Sequence, residues 1–165
     1  TAAHDAWTAS VRLVACGNFQ EDTSPHMLEN SSSNPSQEVF RLLLSMLARH
    51  FGWTAMVLDI SCAFLNALLD EKVLIRPPPV LARLGLLFPN TLWLALRAIY
   101  GLRKSPKLWE EERNKTLNNR VLHLSTGTVI METIETGTWI LKSENECVGL
   151  FMMYVDDGLD RKSVV

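Results

Sequence analysis

Two adjacent carboxylates close an apolar run near the end of the sequence. Asp156 and Asp157 follow Tyr154 and Val155, and the apolar residues 148–153 before them are typical of a buried strand. An ionised pair left alone in an apolar setting would cost many kcal/mol, so it needs a cation, a proton or water. A turn that presents both acids to divalent metal ions would satisfy them and supply chemistry.

A lone acid, Asp59, lies in a second apolar run, residues 56–60, about 100 positions earlier. One acid on a strand and a pair on a strand tip fit a two-metal site for phosphoryl transfer. Each element alone has a plainer interpretation. Asp59 could simply end a strand, and Asp156 and Asp157 could form a solvated turn, since acids are common in turns. We predict that Asp59 converges in space with Asp156 and Asp157.

The composition indicates one domain with a substantial core. The 165 residues are 47% hydrophobic and 21% charged. Apolar runs are too short for a membrane span, and the first residues do not resemble a signal peptide. The sequence does not begin with Met and stops shortly after Asp157, so we expect a fragment of a longer protein.

The formal net charge of −2 does not favour broad binding to a phosphate backbone. A local basic set exists, whose alternative interpretation is an ordinary solvated helix face: Arg97, Arg103, Lys104, Lys107, Arg113 and Lys115. The three cysteines are far apart and without zinc-ligand spacing, which indicates reduced thiols in an intracellular protein.

The N-terminal third predicts a short strand over residues 11–16, a loop over 20–36 and then a helix. Asn34 is the expected N-cap and Pro35 the first helical residue, and the helix runs to about residue 50. Apolar residues recur along it at helical spacing and are predicted to belong to the core: Val39, Phe40, Leu43, Leu44, Leu47 and Phe51.

The remainder predicts a second helix, over residues 105–119, among short strands. The strands are expected at residues 56–60, 72–76, 91–97, 129–131, 139–141 and 148–153, with a turn at 143–146. The expected fold class is α+β, with helices packed on an antiparallel sheet.

Five blocks of sequence resemble the reverse transcriptase of copia-type LTR retrotransposons. They are residues 12–17 (RLVACG), 58–66 (LDISCAFLN), 73–78 (VLIRPP), 93–109 (WLALRAIYGLRKSPKLW) and 153–157 (MYVDD). The resemblance implies a fingers-and-palm fragment of an RNA-templated DNA polymerase, truncated at its C-terminus. It puts residues of about 1–50 and 67–105 in the fingers and about 51–66 and 106–160 in the palm, without thumb, RNase H or integrase regions.

The resemblance also implies a catalytic centre. Asp59, Asp156 and Asp157 match the carboxylates that hold two Mg²⁺ ions, for which Mn²⁺ is a substitute. Phe64 matches the aromatic steric gate that excludes a ribose 2′-hydroxyl, although a plain core phenylalanine is the alternative. The expected reaction is nucleotidyl transfer.

Three further positions match substrate contacts of that family. Tyr100 and Gly101 fall where the nucleotide pocket is lined, and Arg12 lies in the segment that contacts the triphosphate, with an ordinary surface charge as its alternative. The implied partners are an RNA template with a DNA primer, deoxynucleoside triphosphates and the rest of the Pol polyprotein. No membrane is implied, and the setting is a cytoplasmic particle or the nucleus.

The sequence departs from the family at several positions. Cys16 and Ser10 stand where the family has basic residues, Ala67 where it favours Gly, and the polar residues 158–162 where it continues with apolar ones. One alternative is therefore a truncated or decayed relic that acts at most as a binding surface. Another is a metal nuclease that uses the same acids.

Overall fold

A computed structural model describes residues 13–20, 32–49, 51–125 and 127–154, together with the backbone of residues 157 and 158. Within these ranges the fold is mixed, with helices and antiparallel sheets. None of the helices there is both long and apolar enough to cross a membrane.

The described elements run in chain order through three helices and eight strands. They are α1 (Gln37–Arg49), β1 (Leu58–Asp59), β2 (Leu68–Ile75), α2 (Pro79–Arg83), β3 (Trp93–Arg97), α3 (Ser105–Leu117), β4 (Val121–Leu124), β5 (Gly127–Glu135), β6 (Thr138–Ser143), β7 (Glu146–Met152) and β8 (Asp157–Gly158). Short 3-10 helices span Gly17–Phe19 and Ala63–Asn66.

The largest sheet is an antiparallel meander in the order β4-β5-β6-β7. Its last hairpin turns at Glu144 and Asn145, which have φ of 50° and 71°. Two successive positive φ values are the mark of a type I′ turn, whose twist suits a hairpin. The predicted turn at 143–146 is confirmed. Two smaller sheets pair β2 with β3 and β1 with β8.

The core lies between α3, the Ala63–Asn66 helix and the meander. Its buried residues are Ala63, Phe64, Ala67, Ala98, Trp109, Met131, Trp139 and Met153. Trp139 is fully buried, and its indole N–H donates to Asn118 Oδ1 at 2.8 Å, just beyond the end of α3. That bond satisfies the one polar atom of a large buried ring. The expected packing of a helix on an antiparallel sheet is confirmed for α3.

The first helix differs from the prediction in both its start and its surroundings. It begins at Gln37, and the Ser36 hydroxyl accepts a hydrogen bond from the Val39 N–H at 3.3 Å. Ser36 is therefore the N-cap, and Asn34 is not, because Pro35 still lies outside the helix. All of α1 lies in the described part of the chain, and none of its residues is buried.

The predicted core role of the α1 stripe is therefore wrong. Its apolar side chains instead line one wall of an open cavity of about 320 Å³, which β7 and residues 52–58 complete. The helical period correctly identified the helix, but a period only defines a face and does not specify what covers it.

The predicted strands at 72–76, 91–97, 129–131, 139–141 and 148–153 are confirmed with different bounds, as is the second helix. The strand expected at 56–60 is reduced to two residues. The strand expected at 11–16 is wrong over its described part, residues 13–16, which have no regular secondary structure. Residues 11 and 12 lie outside the described part of the chain.

Candidate active site

Asp59 and Asp157 lie directly opposite each other in a two-residue antiparallel ladder. Strand β1 pairs with β8 so that Leu58 is the partner of Gly158 and Asp59 the partner of Asp157. Opposed residues in an antiparallel pair have Cα atoms about 4.5–5.5 Å apart. The backbone thus joins the lone acid of the first strand to one acid of the pair.

Asp59 lies in an apolar run of sequence, but the structure does not bury its carboxylate. Its side chain is exposed, so water satisfies the carboxylate without a metal ion. Asp156 lies outside the described residues. Within the described part, no group of three or more His, Cys, Asp or Glu residues is arranged to hold a metal ion. The three-carboxylate metal site remains a prediction.

A tight turn after Asp59 places Phe64 in the core. Cys62 adopts the left-handed conformation (φ 56°) and is followed by the 3-10 helix Ala63–Asn66. The Asn66 amide donates to the Cys62 and Ala63 carbonyls at 3.4 and 3.2 Å, which closes that turn. Phe64 is 7% exposed.

Phe64 packs edge to face against Tyr100, with ring centroids 4.6 Å apart and planes at 66°. This arrangement suits the quadrupoles of the two rings. Phe64 and Tyr100, for which the family resemblance implies roles at the nucleotide, are therefore in direct contact. The burial of Phe64 is also what a core phenylalanine requires, so packing alone does not separate that interpretation from the steric gate.

The segment 13–17 crosses Tyr100 and Gly101 at backbone contact distance. The Ala15 N–H donates to the Tyr100 carbonyl at 2.7 Å, and the Gly17 N–H donates to the Gly101 carbonyl at 3.1 Å. The guanidinium of Arg103 donates from Nε to the Gly17 carbonyl at 2.9 Å. The predicted pocket residues are thus tied to the segment that follows Arg12, which itself lies outside the described residues.

Glycine is required on both sides of this crossing. Gly101 has φ of 92°, and a Cβ there would lie 1.9 Å from the Ala15 carbonyl oxygen. A Cβ on Gly17 would lie 2.1 Å from the Gly101 carbonyl oxygen. Sequence reasoning missed this requirement at Gly17.

Most of the predicted basic set is engaged within the chain. Arg97 donates to the Leu65 and Asn66 carbonyls at 3.1 and 3.3 Å. Lys104 lies 3.8 Å from Asp70 and 3.6 Å from Glu71, and Lys107 lies 3.7 Å from Glu110. These cations hold neighbouring loops and acids, which weakens the case for a free basic footprint.

Arg113 contradicts both interpretations of the basic set, the phosphate-binding footprint and the solvated helix face, because it is buried. It is 2% exposed, and its guanidinium lies 5.6 Å from the centroid of the Trp139 ring, within the range of a cation–π contact. It donates from Nε and one terminal nitrogen to Asn114 Oδ1 at 3.3 and 3.2 Å. Desolvation lowers the pKa of Arg113, and the negative charge of Glu110 partly offsets that effect.

Sequence reasoning also missed the buried acid of α3. Glu110 is buried one turn before Arg113, and Glu110 Oε2 accepts a hydrogen bond from the Ser33 N–H at 3.1 Å. Their spacing of three on a helix was the available signal, since it puts opposite charges on one face. All three cysteines are free and exposed.

Comparison with known proteins gives one family and one relative. Residues 4–160 match the family described as reverse transcriptase (RNA-dependent DNA polymerase). A putative transposon Ty5-1 protein of Saccharomyces cerevisiae is 35% identical over 60 residues, which are 36% of this chain and 19% of that protein. The chain therefore covers about a fifth of that relative. No solved structure matches significantly.

Proposed function

The chain belongs to the reverse transcriptase family and is a retrotransposon-related protein, and on that premise we propose that it is the fingers-and-palm part of a copia-type reverse transcriptase. In this proposal it carries out RNA-templated DNA synthesis by two-metal nucleotidyl transfer within a Pol polyprotein. The reaction takes place inside the cell, in a cytoplasmic particle or the nucleus.

The single observation that carries the proposal is the antiparallel register that opposes Asp59 and Asp157. These acids come from distant parts of the sequence and sit in different motifs. A two-metal centre needs carboxylates from separate elements around one point, because the ions must contact both the attacking and the leaving oxygen. The β1–β8 ladder meets this requirement, because it brings Asp59 and Asp157 together from two separate strands.

The donor set fits magnesium. Carboxylate oxygens are the ligands that Mg²⁺ prefers, and a few of them suffice because the ion keeps several waters. Asp59, Asp156 and Asp157 would hold the ions, and the exposed side chain of Asp59 is open to such binding. When bound, the two ions would activate the primer 3′-hydroxyl and neutralise charge on the triphosphate and pyrophosphate.

The chain's own groups would orient the nucleotide. In the proposal, Phe64 excludes the 2′-hydroxyl, and Tyr100, in edge contact with it, fixes the tilt of that ring. Gly101, whose missing side chain leaves room for the segment 13–17, would line the nucleotide pocket, and Arg12 would contact the triphosphate. The template would be RNA, the primer DNA and the substrates deoxynucleoside triphosphates.

The test is Mg²⁺-dependent extension of a DNA primer on an RNA template by the full-length polyprotein that carries this sequence. Asp59→Asn should lower kcat by about 100- to 1,000-fold, because it removes one charge from the centre that stabilises the transition state. The matched control is Asp70→Asn, since Asp70 is an exposed acid of β2 that pairs with Lys104 at 3.8 Å and lies outside the proposed site.

Equal loss in both variants would point to general damage and would contradict the assignment of Asp59. A folded wild-type polyprotein that extends no primer with either Mg²⁺ or Mn²⁺ would overturn the proposed activity. That result would support the non-catalytic relic instead.

A further inference from the structure

Tyr154, which precedes Val155 and the acid pair, is hydrogen-bonded to a distant part of the chain. The Tyr154 hydroxyl donates to the Pro35 carbonyl at 3.1 Å, across 119 positions of sequence. Pro35 is buried and lies just before α1. The contact therefore joins the end of the strand that leads to Asp156 and Asp157 with a segment outside the meander.

The segment that receives this hydrogen bond, residues 33–36, is held at both of its ends by buried or half-buried acids. The Ser33 N–H donates to Glu110 Oε2 at 3.1 Å, and the Ser36 N–H donates to Glu135 Oε1 at 3.2 Å. Glu110 lies on α3 and Glu135 ends β5. We call residues 33–36 the brace, because they connect α3, the end of β5 and the strand end that precedes the acid pair.

The brace also touches the turn between β5 and β6. Gly137 has φ of 74°, and a Cβ there would lie 2.9 Å from Pro35 Cγ and 2.8 Å from the Met153 carbonyl oxygen. The brace, this turn and the strand end are thus packed without space for one methyl group. Such packing transmits displacement rather than absorbing it.

Met153, the neighbour of Tyr154, has both backbone groups bonded from outside its own strand. Its N–H donates to the Gly137 carbonyl at 2.8 Å, and its carbonyl accepts from the buried Arg113 guanidinium at 3.5 Å. With the Tyr154 hydroxyl, three polar contacts fix the last two described residues before the acid pair. The bond to Gly137 continues the β6–β7 ladder by one residue, whereas the bonds with Arg113 and Pro35 come from outside the sheet.

We propose that Tyr154 is a positioning residue, whose hydroxyl locks the strand end to the brace and thereby sets where Asp156 and Asp157 stand. This inference rests on the proposed function. One hydrogen bond is worth about 1 kcal/mol in stability. Its effect on the reaction is larger than its effect on the fold, because a misplacement of about 1 Å at a reacting centre can cost about 100-fold in rate.

The test is Tyr154→Phe in the full-length polyprotein, since this change removes the hydroxyl and keeps the ring. The matched control is Thr133→Val, which removes a hydroxyl that donates to Asn118 Oδ1 at 2.7 Å on the same sheet. Tyr154→Phe should lower kcat by about tenfold with KM unchanged for nucleotide and primer–template. Hydrogen exchange at the amides of Ser33 and Ser36 should become faster, and Thr133→Val should do neither.

Other outcomes decide against the proposal. A raised KM for primer–template with unchanged exchange in the brace would make Tyr154 a substrate contact. Equal behaviour of the two variants in kinetics and exchange would make the hydroxyl an ordinary surface bond. If the wild-type polyprotein is inactive, the proposed function is wrong, but the role of Tyr154 can still be tested. Exchange in the brace then decides alone whether Tyr154 holds it, and an unchanged rate overturns the lock.

Discussion

The backbone of Gly101 leaves no room for a side chain at Gly17. A Cβ on Gly17 would lie 2.1 Å from the Gly101 carbonyl oxygen, to which the Gly17 N–H donates at 3.1 Å. The two residues, 17 and 101, are 84 positions apart in the sequence. The crossing therefore ties the segment after Arg12 to the predicted nucleotide pocket through backbone atoms alone.

Gly101→Ala should destabilise the protein strongly. A side chain at positive φ costs about 1–3 kcal/mol by itself, and the clash with the Ala15 carbonyl oxygen adds to that cost. The control is Gly85→Ala, because Gly85 has φ of 70° with no atom within 4 Å of the added Cβ. Urea unfolding should show a clearly larger loss for Gly101→Ala, and equal losses would mean that the backbones do not touch.

Asn118→Ala should lower the free energy of unfolding by about 1–3 kcal/mol, because it leaves the indole N–H of the fully buried Trp139 without its acceptor. Thr133→Val removes the other donor to Asn118 Oδ1 at an exposed site, so its effect should be much smaller. Thermal or urea unfolding checks the order. A larger loss for Thr133→Val would contradict the role given to Asn118.

Glu110→Gln should destabilise the fold by about 1–3 kcal/mol, because it removes the negative charge that offsets the burial of Arg113. The amide can still accept the bond from the Ser33 N–H, so the change isolates the charge. Glu111→Gln, at the exposed next position of α3, is the matched control and should be nearly neutral. Urea unfolding of both variants measures the difference.

Phe64→Ala in the full-length polyprotein should lower discrimination against ribonucleotides, because the ring no longer fills the space of a 2′-hydroxyl. Truncation of a buried phenylalanine also costs about 3–5 kcal/mol of stability. The ratio of kcat/KM for a ribonucleotide and its deoxy counterpart is insensitive to the folded fraction. Phe64→Leu, which keeps most of the apolar volume, should change it less. An unchanged ratio in both variants would leave only the core interpretation.

Local sequence signals predicted most elements but not their environments. The second helix and most strands followed from caps, prolines and apolar runs. The α1 stripe was placed in the core because helical spacing defines an apolar face, whereas the described neighbours leave that face open. The N-cap is Ser36 and not Asn34. Residue type could not distinguish the two, because Ser and Asn are about equally favoured at that position.

The candidate site depends on tertiary contacts between distant residues, which local sequence patterns do not predict. Arginine is rarely fully buried, so Arg113 was assigned to the surface, and only Trp139 and Glu110 explain its burial. The acids were identified because strand-end carboxylates are chemically conspicuous. Their register, like the Tyr154 contact with Pro35, is a property of the tertiary fold.

The ladder that opposes Asp59 and Asp157 also has a consequence for the order of folding. It closes a loop of roughly a hundred residues, and the entropy of such a closure is large compared with what two paired residues return. The β4–β7 hairpins are local and can form early, whereas this ladder must wait until they have shaped its surroundings. The geometry proposed for catalysis would therefore form late during folding and be lost early during unfolding.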